Sequence, residues 1–281
     1  MSEAFDWAEF ASEPIEADTA PSRTTPKPEA LQPGGLIEAW ATALVLDHEM
    51  NRPRSRQAHV GPSEVGERCD RRLAMAVANV QQVNYPDPLK AYVGTGLHQM
   101  LADAVELRDR GTGRYLSEHR VTYRGVTGSV DLFDRVTGRL IDFKSKSLTK
   151  VKRARRQPME HGYKVQQMIY AAGLIAQGEH VKSVTLLYIP TDGDLSDMYA
   201  QTLPVDVSIA DEAIDRLERI QNEVADGKPL PDFKAHTSAL CGWCPFYSPL
   251  TPLSPASCPG ATTPTTTVAG EPKHDPTQPK E

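Results

Sequence analysis

Between Tyr115 and Lys146 the hydrophobic period shortens to two. The segments Tyr115–Tyr123, Thr127–Asp134 and Arg139–Lys146 each alternate apolar with polar residues and are separated by turn-forming sequence, so they predict a meander of three strands. Side chains on a strand alternate faces. Asp142 and Lys144 therefore share one face, with Ile141 and Phe143 on the other, and Val130 and Leu132 face away from Asp131. A turn centred on Val136-Thr137 sets Asp131 opposite Asp142; one centred on Thr137-Gly138 sets it opposite Lys144. Either register puts Asp131 on the Asp142/Lys144 face, leaving an apolar face for the core and a charged one for something else. Two carboxylates at that spacing repel unless a cation or a proton lies between them, and an oxygen-rich site suits Mg²⁺ or Mn²⁺. A lone D-x-K of this kind is more often a solvated outer face.

The surrounding elements frame the meander. Helices are expected over Leu36–Met50, with Leu36, Trp40, Ala43 and Leu44 on one side, over residues 63–80 with Ser63 as cap, and over Ala91–Arg108, which carries His98. After the meander come a helix over Pro158–Gln177, a strand over Val181–Pro190 and another over Met198–Leu203. An amphipathic helix over Ile209–Ala225 follows, with Ile209, Ala213, Leu217, Ile220 and Val224 on one side. Helices, then strands, then helix and strand describe one α/β domain, a mixed sheet flanked by helices.

The formal charge of −6 is unevenly placed. Residues 1–33 hold seven acids and two bases, and residues 259–281 hold three and two. The body, residues 34–258, is neutral, so the acidic balance does not exclude a nucleic-acid partner. Both tails are rich in Pro, Thr and charge and are expected to be disordered. No apolar run approaches a membrane span, the N-terminus lacks a signal-peptide pattern, and a soluble, intracellular, cytoplasmic protein is expected. No G-x-x-x-x-G-K-[ST] loop is present, so a built-in ATP motor is not expected.

Further features lie along the same domain. Glu118 sits on the strand before the hairpin. Gln166 and Tyr170 are four apart on the following helix and share a face. The tract KSKSLTKVKRARR, residues 144–156, holds seven bases and no acid. Each has a plain reading as core histidine, amphipathic face or solvated loop. There are four cysteines: Cys69, then Cys241, Cys244 and Cys258. A C-x-x-C with two further cysteines suits a Cys₄ zinc site, and disulfides are not expected inside a cell. A common site would join residues far apart in sequence and act as a staple.

Taken in order, His98, Gly128-Ser129-Val130-Asp131, Asp142-Phe143-Lys144 and Gln166-Gln167-Met168-Ile169-Tyr170 resemble the PD-(D/E)XK nuclease superfamily, specifically its RecB-like exonuclease branch. With SEVGERCDRRL and CGWCPF, the cysteines resemble those of the CRISPR-associated (Cas-four type) exonucleases and AddB-type nuclease domains, a phage-encoded member included. The resemblance implies a restriction-endonuclease-like core over roughly residues 60–260 with a C-terminal iron–sulfur segment. It implies a metal-dependent exonuclease acting on DNA, single-stranded ends above all, in recombination, repair or CRISPR-type processing. Its catalytic set is Asp131, Asp142, Lys144, Gln166 and Tyr170. One or two metal ions fall to His98, Asp131, Asp142 and the Phe143 carbonyl, and Glu118 is a lesser candidate. A [4Fe-4S] cluster falls to Cys69, Cys241, Cys244 and Cys258, with zinc the alternative. Cys258 stands after a longer spacer than the family's. Lys146, Lys150, Lys152, Arg153, Arg155 and Arg156 are placed to hold phosphates. A helicase, recombinase or CRISPR integration protein is the partner implied. The rival reading is a non-catalytic DNA-binding or assembly module stapled by the same cysteines.

Overall fold

The computed structural model describes residues 36–51, 60–236 and 241–260. The tail read at 1–33, and that read at 259–281 apart from Pro259 and Gly260, lie outside the described residues. The chain divides into two units, Met1–Thr42 and Ala43–Glu281. Helix α1, Leu36–Asn51, begins in the first and ends in the second. Its expected apolar side is not a buried one, since Trp40 and Leu44 are both exposed.

The helix expected over 63–80 is two helices. The short α2, Pro62–Val65, starts with proline in its first turn, and the Glu64 carboxylate accepts the Gly61 N–H at 2.9 Å. Ser63 is inside the helix and Gly61 is its cap. The helix ends at Gly66, which must be glycine because a Cβ there would lie 2.6 Å from the carbonyl oxygen of Gly162. The chain becomes helical again at α3, Asp70–Val77, whose N-cap is Cys69: the sulfur accepts the Arg72 N–H at 3.5 Å. Helix α4 runs from Leu89 to Asp109.

Strands β1, Tyr115–Tyr123, β2, Val126–Asp134, and β3, Arg139–Lys146, form the expected antiparallel meander. The β1–β2 turn uses Arg124 and Gly125, both at positive φ (45° and 80°), which is the backbone a two-residue hairpin requires. The β2–β3 turn is held by Asp134, which accepts from the Val136 N–H, the Thr137 hydroxyl and the Arg114 guanidinium. Leu132 pairs with Ile141 and Asp134 with Arg139, so the turn centres on Val136-Thr137 and Asp131 falls opposite Asp142.

The basic tract is not a loop. It leaves β3 into helix α5, Leu148–Ala154, anchored by the buried Val151. Helix α6, His161–Ala176, then returns the chain to β4, Ser183–Pro190, parallel to β3. Pro158 stands three residues ahead of α6, whose N-cap is Glu160. Strand β5, Tyr199–Pro204, pairs antiparallel with β4, so the sheet order is β1-β2-β3-β4-β5. Helix α7, Val207–Ala225, follows. Its buried residues are Ala210, Ile214, Leu217 and Ile220; Ile209, Ala213 and Val224 pack at the margin, so the buried side is rotated by about one position from the expected stripe.

The sheet is mixed and flanked by helices. The larger core joins Val121, Val130, Phe133 and Leu140 of the sheet to Val165, Ile169 and Leu174 of α6 and Ile214 and Leu217 of α7. On the opposite side, Leu97, Leu101 and Val105 of α4 pack on Leu132, Phe143 and Ile189. The hairpin thus buries apolar residues on both faces. Among the described residues no helix is long and apolar enough to cross a membrane.

Candidate active site

Strict alternation would put Val130 with Leu132 and Val121 away from Leu116. The structure instead gathers Val121, Val130, Phe133 and Leu116 in one core and leaves Leu132 in the other. The alternation breaks at one place on both strands. The register runs Ser117↔Leu132 and His119↔Val130, but the pair between them, Glu118 and Asp131, is missing. Glu118 has φ 47°, a conformation that costs about 1 kcal/mol or more for a residue with a Cβ. The kink turns both carboxylates toward α4, where His98 projects. One ligand atom from each of His98, Glu118 and Asp131 lies within 4.8 Å of the other two. His98 Nδ1 is 3.4 Å from Asp131 Oδ1, and its ring meets the edge of Phe143 with centroids 5.9 Å apart.

The β2–β3 ladder opens at the same level. Its last pair is Leu132↔Ile141, and beyond it the Phe143 N–H donates to Asp131 Oδ2 at 2.7 Å. A carboxylate thus takes the place of a backbone carbonyl, which fixes one Asp131 oxygen while the other faces His98. The hydrogen bond to Asp131 raises the pKa of His98 against the lowering effect of its burial.

Asp142 does not join that group. It is 2% exposed, and its Oδ2 lies 2.5 Å from Lys144 Nζ. The contact is a close ion pair. Burial raises the Asp142 pKa, opposed by Lys144. Burial would lower that of Lys144, but Asp142 and then Asp131 lift it above its ordinary value. The charged face expected on β3 is therefore an interior ion pair.

Tyr163, at the start of α6, belongs to none of the motifs read in the sequence. Its ring lies under both Lys144 and Lys146, 5.0 and 5.3 Å from the ammonium nitrogens, and its hydroxyl accepts from Lys146 at 2.7 Å. Burial, and then repulsion by Lys144, lower the Lys146 pKa. Tyr163 is three residues before Gln166, on the same helical side, and that spacing is the signal the sequence offers for it. Gln166 and Tyr170 are both buried and bonded to each other, Nε2 donating to Oη at 3.1 Å. Tyr170 also closes over Gly128, where a Cβ would sit 2.7 Å from its ring. Lys150, Lys152, Arg153 and Arg156 are exposed along α5 and its end. Arg155 is engaged by the Asp197 carbonyl at 2.9 Å and the Tyr199 ring.

All four cysteines line one cavity, together with Glu67, Arg71 and His236. The long spacer before Cys258 is a closed loop. Tyr247 and Cys258 are bridged, the Cys258 N–H donates to the Phe246 carbonyl, and the Ser248 N–H donates back to the Cys258 carbonyl. Cys258 thereby returns beside Cys244 whatever the loop's length. Arg71 ties the two ends of the domain, donating to Cys258 Sγ at 3.7 Å and to the Pro231 carbonyl at 3.0 Å. No three of the sulfurs lie within 4.8 Å of one another.

No curated protein sequence matches the chain. Among solved structures it is similar to the alkaline exonuclease LHK-Exo from Laribacter hongkongensis (13% identity, TM-score 0.45, covering 62% of this chain and 91% of that one). The same enzyme in complex with dAMP gives 15% identity and a TM-score of 0.43 over 61% and 90% of the two chains. A phage-related exonuclease from Haemophilus somnus 129PT gives 10% identity and a TM-score of 0.38 over 69% and 90%. Likenesses at these scores carry no functional weight. The family model described as the PD-(D/E)XK nuclease superfamily, however, matches residues 23–248, most of the sequence and every element that builds the site; the chain belongs to that superfamily.

Proposed function

We propose that this protein is a divalent-metal-dependent deoxyribonuclease that removes nucleotides from DNA ends, single-stranded ones above all, and is stapled by a [4Fe-4S] cluster. The observation that carries the reading is the convergence of His98, Glu118 and Asp131 beside the buried Asp142–Lys144 pair. Two carboxylates and an imidazole suit a hard divalent cation, Mn²⁺ in particular. His98, Glu118 and Asp131 would hold it, with Asp142 and the Phe143 carbonyl the further ligands of the RecB-like pattern. Such an ion supplies an acidified water and neutralises phosphate charge.

The chain's own groups do the rest. Lys144, kept cationic by Asp142, offsets charge that builds on the scissile phosphate. Tyr163 orients Lys144 and Lys146 by lying beneath both. Lys150, Lys152, Arg153 and Arg156 draw the strand in by its phosphates.

The cysteine cavity offers four thiolates for the cluster. A Cys₄ zinc site is the alternative; the cluster takes one cysteine on each iron. Its role is structural, since it joins α3 to the segment after α7.

The test uses linear and circular single-stranded DNA of one sequence. With Mn²⁺ the protein degrades the linear strand and spares the circle, and Asp131→Asn degrades neither. Equal cutting of the circle would refute the requirement for an end; no cutting of either would refute the nuclease reading.

A further inference from the structure

The segment between two of the cysteine ligands carries an exposed tryptophan. Trp243 is 51% exposed, an unusual place for the side chain with most to gain from burial. The 3₁₀ turn Cys241–Trp243 is fixed by Asn84, whose side chain donates to the Gly242 and Cys244 carbonyls at 2.9 Å each. The Val83 and Asn84 N–H groups donate to the Pro245 carbonyl. The ammonium of Lys90, at the start of α4, stands over the indole at 5.8 Å from its centroid.

Lys90 begins a stripe that leads to the active site. Residues i, i+4 and i+8 of a helix share a side, and here they are Lys90, Gly94 and His98. Gly94 has no side chain, and a Cβ there would lie 3.0 Å from Ser145 Oγ, the residue between Lys144 and Lys146. Gly94 thus lets the backbone of α4 pack closely on the end of β3, which fixes how Lys90 and His98, at the two ends of this stretch, stand relative to the active site. Eight residues of helix are about 12 Å, or three to four stacked nucleotide spacings of about 3.4 Å, fewer if the strand is stretched. A cation on the helix that carries His98, beside an exposed aromatic face, is the combination that single strands use.

We propose that Trp243, with Lys90 above it, is a stacking platform for a base of the strand whose end lies at His98 and Asp131. This rests on the nuclease reading and extends it. It also gives the cluster a purpose, because holding the sulfurs of Cys241 and Cys244 holds the indole between them.

The probe is dodecathymidylate, bound to the full-length, iron-loaded protein with Ca²⁺ replacing Mn²⁺. Binding to the wild type quenches tryptophan emission. Trp243→Phe, which still stacks, keeps the affinity within about two-fold but loses most of the quench; Trp243→Ala weakens binding about five-fold to a hundred-fold. Lys90→Gln lowers the salt slope by about 0.7. Iron content stays at the wild-type level in Trp243→Phe and Lys90→Gln. Full quenching in Trp243→Phe, or wild-type affinity in Trp243→Ala, overturns the platform and leaves the surface to a protein partner. Failure of the wild type to cut dodecathymidylate with Mn²⁺ is a separate result and overturns the nuclease reading.

Discussion

Replacing Lys144 with methionine strips the buried Asp142 of its counter-charge. At 2.5 Å and an effective dielectric of about 20, the pair attracts by about 7 kcal/mol, most of it offset by the desolvation of two ions. The variant does not lose that much, because Asp142 can take a proton. An ordinary carboxyl has a pKa of about 3.9, so burying it neutral at pH 7 costs about 4 kcal/mol, within the range of about 3–5 for breaking a buried pair. Methionine keeps the length and apolar bulk of the lysine stem, so little packing loss is added.

The pH dependence identifies the group. In Lys144→Met the folded pKa of Asp142 lies above its unfolded value, as its burial already dictates. The folded state then binds more protons than the unfolded state over that window, and stability falls as pH rises. Relative to Asp142→Asn/Lys144→Met, which has no proton to bind there, the single variant should lose stability as pH rises above about 4, by up to about 1.4 kcal/mol for each pH unit until the folded Asp142 ionises. Near pH 4 the two should coincide. Urea denaturation at closely spaced pH values measures this. A flat difference between pH 5 and 7 would refute the claim that Asp142 is sealed beside Lys144. A double variant as unstable as the single at pH 7 would refute the claim that the cost lies in the unpaired charge.

Two glycines should respond in opposite directions. Gly128→Ala drives a Cβ to 2.7 Å from the Tyr170 ring and 2.8 Å from Pro62, and should cost about 1–3 kcal/mol while loosening the Gln166–Tyr170 bond. Gly96→Ala, inside α4 with nothing within 4 Å of the new Cβ, should stabilise by about 0.5–1 kcal/mol; thermal unfolding of the pair checks both. Neutralising Lys150, Lys152 and Arg153 on α5 should weaken binding to single strands of any sequence and flatten its salt dependence by about 0.7 for each phosphate the protein no longer neutralises, read from binding isotherms between 50 and 200 mM salt. Cys69→Ala should leave the purified protein without iron or acid-labile sulfide and with residues 241–260 open to proteolysis, while Cys258→Ala, whose neighbours are pinned by Phe246 and Ser248, should retain that segment's protection longer. Stoichiometric zinc in colourless wild-type protein would replace the cluster but keep the staple.

What is legible in the sequence and what is not divide along a physical line. The three strands of the meander and the mixed order of helix and strand follow from periodicity and turn chemistry, which are local; the turn centre is legible only as one of two, and the pairing of Asp134 with Arg139 selects Val136-Thr137. The need for glycine at the end of α2 is not legible, because it comes from Gly66 meeting Gly162, a backbone contact nearly a hundred residues away. The site shows the same division more sharply. Alternation puts Asp131 and Asp142 on one face, and the register agrees, yet the two carboxylates have different surroundings. Asp142 keeps its alternation and is buried against Lys144. Asp131 departs from it at the kink shared with Glu118, and so reaches His98 on the α4 side of the sheet. A regular pair of strands cannot hold Asp142 against Lys144, turn Asp131 toward His98 and also bring Glu118 from the next strand to Asp131. The left-handed backbone at Glu118 does this, on a residue type with no intrinsic preference for it. Such strain persists only where the surroundings over-determine it. Here the larger core holds Leu116 and Phe133 before the kink and Val121 and Val130 after it, so the apolar packing on either side keeps Glu118 and Asp131 turned toward His98. The metal-ligand group is thus a consequence of where the core places its hydrophobic residues, and exchanging Val130 for a polar residue should disperse it without touching a single ligand.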